Sequence, residues 1–232
     1  LSPELKEEKK RYHNLVAHKL LTPLATISAN LSLLRRPDLI RTPEQRDEAI
    51  LDAEMAVRKL RRAIDCMLAL REVAPGTASH TPGQAAEEIL EMQAAGARLR
   101  YPARNAQVET DLNLQSQALP LSPEELEALV DHLLDNALQF CEKPEARVRI
   151  HASSDGPSIL LRVEDNGRGI EPEDQERVFQ RFVQCGERVA ECIGVGLGLS
   201  LVRDIVNARG GTISLDSSPG VGTTVCITLP TV

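Results

Sequence analysis

The chain has 232 residues, of which 42% are hydrophobic and 26% charged, with a formal net charge of -7. That length allows two modest domains with a sizeable core, the balance is that of an ordinary globular protein, and the acidic excess leaves no basic footprint for nucleic acid. Aromatic residues make up only 2%, which supplies few platforms for stacking bases; the five cysteines contain no Cys-x-x-Cys pair and read as free thiols, and no apolar run reaches the length of a bilayer span.

From about Glu4 to Arg36 the composition is helical, and Leu20, Leu24, Ile27, Leu31 and Leu34 follow a four-three-four-three spacing that places them on one face. Residues 37–43 break the pattern, and Thr42-Pro43-Glu44 supplies a cap and a first-turn proline for a second helix. Its stripe is Ile50, Ala53, Val57, Leu60, Ile64 and Met67. Two such helices joined by a short turn carry more apolar surface than one partner helix can cover, so pairing with a second copy in a four-helix bundle is expected. Residues 76–83, rich in Pro, Gly, Ser and Thr, read as a linker between a hairpin at 1–75 and a second domain at 84–232.

In that second domain the pattern predicts a helix over Gly83–Arg98, a strand at Val108–Leu112 and a helix from Glu124 to Phe140, capped by the Ser122-x-x-Glu125 box. Strands follow at Arg147–Ala152, Ile159–Val163, Thr212–Asp216 and Thr223–Leu229. Helices beside a mixed sheet give an α/β sandwich, so the fold class is a helical hairpin followed by an α/β domain.

Four groups of residues carry chemistry. On the first helix His18 lies roughly 160° from the centre of the apolar stripe at ~100° per residue, which turns it to solvent. Thr22 is one turn on, and Pro23 removes the hydrogen bond to the Lys19 carbonyl. An exposed imidazole on a rigid bundle is a competent nucleophile toward phosphorus. On the helix ending at Phe140, His132, Asn136 and Gln139 share one face, and their side chains suit phosphates with a hard divalent cation. An apolar strand then delivers Asp165 into the turn Asn166-Gly167-Arg168-Gly169. Gly194-Val-Gly196-Leu197-Gly198-Leu runs into a further helix whose free N–H groups would face a bulky anion.

Taken together these segments resemble the sensor histidine kinases. His18-Lys-Leu-Leu-Thr22-Pro-Leu24 is similar to the phosphoacceptor box, Leu134-Asp-Asn136-Ala-Leu-Gln139-Phe140 to the asparagine box, and Asp165-Asn-Gly167-Arg-Gly169 to the first glycine box. Phe179-Gln-Arg-Phe182 resembles the phenylalanine box, Gly194 to Leu199 the second glycine box, and Gly220-Val-Gly-Thr-Thr224 the closing turn. The resemblance implies a dimerising hairpin and an ATP-binding sandwich of the histidine-kinase, Hsp90 and gyrase type. By the same resemblance, Asp165 accepts the adenine amino proton with support from Thr224, and Asn136 binds Mg²⁺ with possible help from His132. Gln139, Gly167, Gly169, Gly194, Gly196, Leu197 and Gly198 line the nucleotide under a mobile lid at about 171–193. His18 attacks the γ-phosphate, Thr22 positions water for dephosphorylation, and the partners are a second copy through residues 1–75 and a response-regulator receiver domain. The resemblance also implies the cytoplasmic portion of a longer sensor, consistent with a chain that opens Leu1-Ser-Pro-Glu4 without a signal-peptide pattern.

Three positions depart from that pattern. Lys19 stands where the family has a carboxylate next to the histidine, and a cation cannot take the imidazole proton. His132 replaces an asparagine one turn before the metal ligand, and Gln139 replaces a lysine that meets phosphates. These departures keep a second expectation open: a nucleotide-binding scaffold, biased toward phosphatase action or without kinase activity.

Overall fold

A computed structural model of the chain describes residues 3–36, 38–40, 42–72, 80–101, 105–114, 117–185 and 196–231. It falls into two compact units, one built on two long helices and one on a sheet with three helices.

In the first unit α1 (Pro3–Leu34) runs unbroken through Pro23, and α2 (Pro43–Glu72) opens with Pro43 in its first turn. Thr42 Oγ1 accepts the Gln45 N–H at 3.3 Å, satisfying one of the donors that a helix start leaves without a partner. Ala49, Ala56 and Ala63 are buried at seven-residue intervals on α2, with Cys66 three places on. Small side chains at that period let two helix backbones approach closely along a seam. Leu24, Leu31, Val57 and Ile64, all from the two stripes, are 44–53% exposed. The hairpin therefore uses small residues of α2 for its own packing and leaves these four large apolar residues outward.

The second unit is a five-stranded sheet in the order β1-β2-β3-β5-β4, with strands Gln107–Asn113, Arg147–Asp155, Ser158–Asp165, Thr212–Ser218 and Gly222–Pro230 numbered along the chain. β1 and β2 are parallel, joined across α4 (Pro123–Gln139), and the other pairs are antiparallel. Every predicted strand is present, each longer than expected by two or three residues. Alternation sorts the faces: Val148, Ile150, Ala152, Ile159, Leu161, Val163, Val225, Ile227 and Leu229 are buried in the core. Opposite them lie polar side chains paired as Arg149–Glu109, His151–Asp111 and Arg162–Glu164.

The core side is covered by α3 (Gly83–Arg100), α4 and α5 (Gly198–Ala208). On α4 the side chains of Leu126, Leu129, Val130 and Leu134 are fully buried, worth roughly 1.5–3 kcal/mol each as an upper estimate. The expected capping box is formed: Ser122 Oγ accepts the Glu125 N–H at 3.2 Å, and Glu125 Oε2 accepts the Ser122 N–H at 2.9 Å. The linker reading extends too far: Thr81 is buried, bridges Leu119 through both backbone groups and donates its hydroxyl to the Leu121 carbonyl at 2.7 Å. Thr81 is thus part of the second unit, and residues 73–79 lie outside the described residues.

Candidate functional site

β3 carries Asp165 at its C-terminal end, two places beyond the core residue Val163 on the same face. Asp165 Oδ1 accepts the Gly167 N–H at 2.7 Å and the Thr223 N–H at 3.2 Å. Burial pushes its carboxyl above the usual aspartate value, against the opposing pull of those two donors and the Lys143 charge. The backbone closes tightly around it. A Cβ on Gly167 would stand 2.8 Å from Asp165 Oδ1, and one on Gly222, whose φ is 153°, would stand 1.9 Å from the Asp165 carbonyl oxygen. Only glycine admits that approach at Gly222.

The strand register corrects one sequence expectation. Asp165 pairs across the ladder with Thr223, whereas Thr224 pairs with Glu164 on the polar face. Thr223, not Thr224, is the threonine beside the half-buried carboxylate. The period of Val225, Ile227 and Leu229, carried back two places, lands on Thr223 and was the available signal.

α4 brings Asn136 and Gln139, both half-buried, to the same end of the domain, and Phe140 caps the helix. The Phe140 carbonyl accepts the Arg168 N–H at 3.1 Å, and the Arg168 guanidinium lies 4.8 Å from the centre of the Phe140 ring and donates to the Cys185 carbonyl at 2.9 Å. Gln139 Nε2 is buried with no hydrogen-bond partner, a donor that lacks its acceptor. His132 departs from the expected open face. It is 5% exposed and packs under the start of α5, its Nδ1 3.6 Å from where a Cβ on Gly198 would stand.

Gly198 is the first residue of α5, and among the described residues no side chain caps that helix, so its start is of the kind that receives an anion. Leu197 is fully buried, which leaves only its backbone to a ligand. Gly196, at φ 78°, accepts the Phe182 N–H at 2.5 Å through its carbonyl. Gly169 packs on Ser218, and Gly194 lies outside the described residues.

The expected lid at 171–193 is narrower in its described part. Residues 171–182 are tied down: the Gln175 amide donates to the Ser217 and Ile170 carbonyls at 2.8 and 3.2 Å, and Arg181 pairs with Asp204 at 2.8 Å. Phe179 and Phe182 are each 9% exposed, with Arg203 over the Phe179 ring. Only its continuation beyond residue 185 lies outside the described residues.

The arrangement fits a nucleotide. A half-buried carboxylate suits an exocyclic amino group, a helix start without a side-chain cap among the described residues suits phosphates, and the Gln139 donor lacks an acceptor. Among the described residues no group of three or more His, Cys, Asp and Glu is placed to hold a metal ion.

In the hairpin His18 and Thr22 are exposed on α1, and Thr22 Oγ1 donates to the His18 carbonyl at 2.9 Å. Lys19 is half-buried, and desolvation pushes its ammonium pKa down. Among the described residues no helix is long and apolar enough to cross a membrane.

Residues 122–232 match the family described as histidine kinase-, DNA gyrase B- and HSP90-like ATPases. The chain is 31% identical to the sensor protein KdpD of Mycobacterium tuberculosis over 92% of its own length and 25% of that protein's. To the sensor protein kinase CarS of Pseudomonas aeruginosa it is also 31% identical, over 97% of this chain and 47% of that protein. It therefore spans about a quarter to half the length of these relatives. Among solved structures, the Acinetobacter baumannii histidine kinase AdeS superposes with a TM-score of 0.66 at 20% identity, covering 92% of this chain and 97% of that one. The mycobacterial sensor histidine kinase MprB superposes with a TM-score of 0.55 at 24% identity, over 67% and 98%. At those identities the superpositions speak for the fold.

Proposed function

Residues 122–232 belong to the histidine kinase-, DNA gyrase B- and HSP90-like ATPase family and follow a helical region of the sensor-kinase kind, and from that premise we propose that the chain is an ATP-dependent protein-histidine kinase. The observation that carries the reading is Asp165, half-buried at the mouth of a glycine turn with Gly167 and Thr223 as its backbone donors. Asp165 accepts the adenine amino proton. Asn136 offers an amide oxygen to Mg²⁺, which when bound offsets phosphate charge. The Gly196 and Gly198 backbone and the start of α5 receive the phosphates.

A ring nitrogen of His18 attacks the γ-phosphorus. A P–N bond forms, the bond to the β,γ-bridging oxygen breaks, ADP departs with that electron pair, and the imidazole proton passes to solvent. A receiver-domain aspartate then takes the phosphoryl group, breaking the P–N bond and forming an acyl phosphate. Catalysis rests on positioning and charge stabilisation. The hairpin forms a dimeric four-helix bundle with a second copy, a reading supported by the outward Leu24, Leu31, Val57 and Ile64. Incubation with γ-labelled ATP and Mg²⁺ is expected to label the protein, and His18→Ala to abolish the label. Labelling that survives this substitution would remove His18 from the role.

Lys19 favours a second reading, a scaffold of weak kinase activity that acts mainly as a phosphatase. Its half-buried ammonium replaces the carboxylate beside His18, while Thr22 is exposed one turn away. Fast labelling of the unmodified chain would reject it.

A further inference from the structure

Behind Asp165 the hydroxyls of Ser217 and Thr223 form a chain whose direction is fixed. Ser217 Oγ is 2.9 Å from each of three partners: the Ile170 N–H, the Gly222 carbonyl and Thr223 Oγ1. A serine hydroxyl holds one proton and two lone pairs. The Ile170 N–H occupies one lone pair, and the Gly222 carbonyl, which can only accept, takes the proton. The remaining lone pair can only accept, so the Thr223 hydroxyl donates to Ser217. Thr223 then has lone pairs left to offer and no proton.

Thr223 stands directly across the ladder from Asp165, whose carboxylate also accepts only. The pair therefore presents acceptors side by side. Where the 6-substituent of a purine meets that edge, an amino group finds acceptors for its protons and a carbonyl oxygen finds no donor. Ser217 itself is held in place from behind, where the Gln175 amide donates to its backbone carbonyl at 2.8 Å.

We infer that Ser217 is a positioning residue for base selection: by taking the Thr223 proton it makes the Asp165–Thr223 edge acceptor-only and so favours 6-aminopurine over 6-oxopurine nucleotides. This rests on the reading of Asp165 as the base-binding carboxylate. The distinction is in polarity rather than size, because ATP and inosine triphosphate differ at position 6 and in the N1 proton while keeping similar bulk. A site built to pair one polar pattern rejects the opposite one strongly, since a mismatch leaves buried groups unpaired.

The test is equilibrium binding of ATP and inosine triphosphate, each with Mg²⁺, to the full chain and three variants. The unmodified chain is expected to prefer ATP by about 100-fold or more. Ser217→Ala frees the Thr223 proton to donate to the 6-oxo group, so affinity for inosine triphosphate rises in absolute terms and the preference narrows about tenfold, as one new hydrogen bond would give. Thr223→Val added to Ser217→Ala cancels that gain. Thr223→Val alone weakens ATP while leaving inosine triphosphate unchanged or tighter, and this arm reads out even if Ser217→Ala fails to fold. A merely structural Ser217 would weaken both nucleotides together. Equal losses for both nucleotides in Ser217→Ala, or a parallel loss in Thr223→Val, would overturn the inference. Binding of neither nucleotide by the unmodified chain would instead remove the reading of the site on which it rests.

Discussion

Asp165 is held by two backbone donors that an asparagine oxygen could also satisfy. Asp165→Asn should therefore fold, but it turns an amide NH₂ toward the amino group of the base, donor against donor. The expected loss is that of a hydrogen bond to a charged group, about 1.5–3 kcal/mol or roughly 10- to 150-fold in ATP affinity, read by titration calorimetry. The same carboxyl gives a pH dependence. Burial raises its pKa in the folded protein, so the folded state keeps a proton that the unfolded chain has released. This group's contribution to stability falls as pH rises from the ordinary aspartate value through the raised one. Denaturant unfolding across that window should show the slope in the native chain and its loss in Asp165→Asn. Lys19 poses the converse question beside His18. Lys19→Glu restores a group able to take the imidazole proton, and a gain in initial labelling rate of about 100-fold is expected, the low end of what general-base catalysis contributes. An unchanged rate would mean that the missing carboxylate does not limit the reaction.

At the scale of elements, α4 and α5 are joined by Arg209 and Glu125, a two-bond ion pair at 2.6 and 3.1 Å with side chains only 8% and 13% exposed. Glu125 also completes the α4 capping box, so one carboxylate serves the helix start and the helix pair. Arg209→Ala leaves that charge buried and should cost about 3–5 kcal/mol, seen as a lowered unfolding midpoint in urea, whereas surface pairs such as Arg149–Glu109 should cost under about 1 kcal/mol. The strands and α4 were legible in the sequence because their apolar periods of two and 3.6 are long and clean. Register was harder to see. One residue of slip separates Thr223 from Thr224 and moves the side chain to the other face of the sheet. His132 looked polar and exposed by its spacing from Asn136, yet the start of α5 covers it, a tertiary contact that no local pattern encodes. The anchoring of residues 171–182 was hidden for the same reason, since Gln175 reaches Ser217 across 42 positions of sequence.

For the whole molecule, Leu24, Leu31, Val57 and Ile64 of the hairpin point outward while Ala49, Ala56 and Ala63 are buried. Full burial of a leucine or valine side chain is worth about 1.5–3 kcal/mol, so a second copy covering both stripes gains enough to associate stably. Sedimentation should show a dimer, and Leu31→Lys with Val57→Lys should shift it to monomer while leaving ATP affinity intact, because these residues lie outside the nucleotide-binding unit. A monomer before substitution would remove the bundle from the account.

In the proposed reaction a phosphoryl group held as ATP by one unit is placed on His18 of the other. The stability of the label tests it most directly. After incubation with γ-labelled ATP and Mg²⁺, the label should resist base, be lost in acid and be absent from His18→Ala, as phosphohistidine requires. A label that survives acid, or one that remains in His18→Ala, would contradict it.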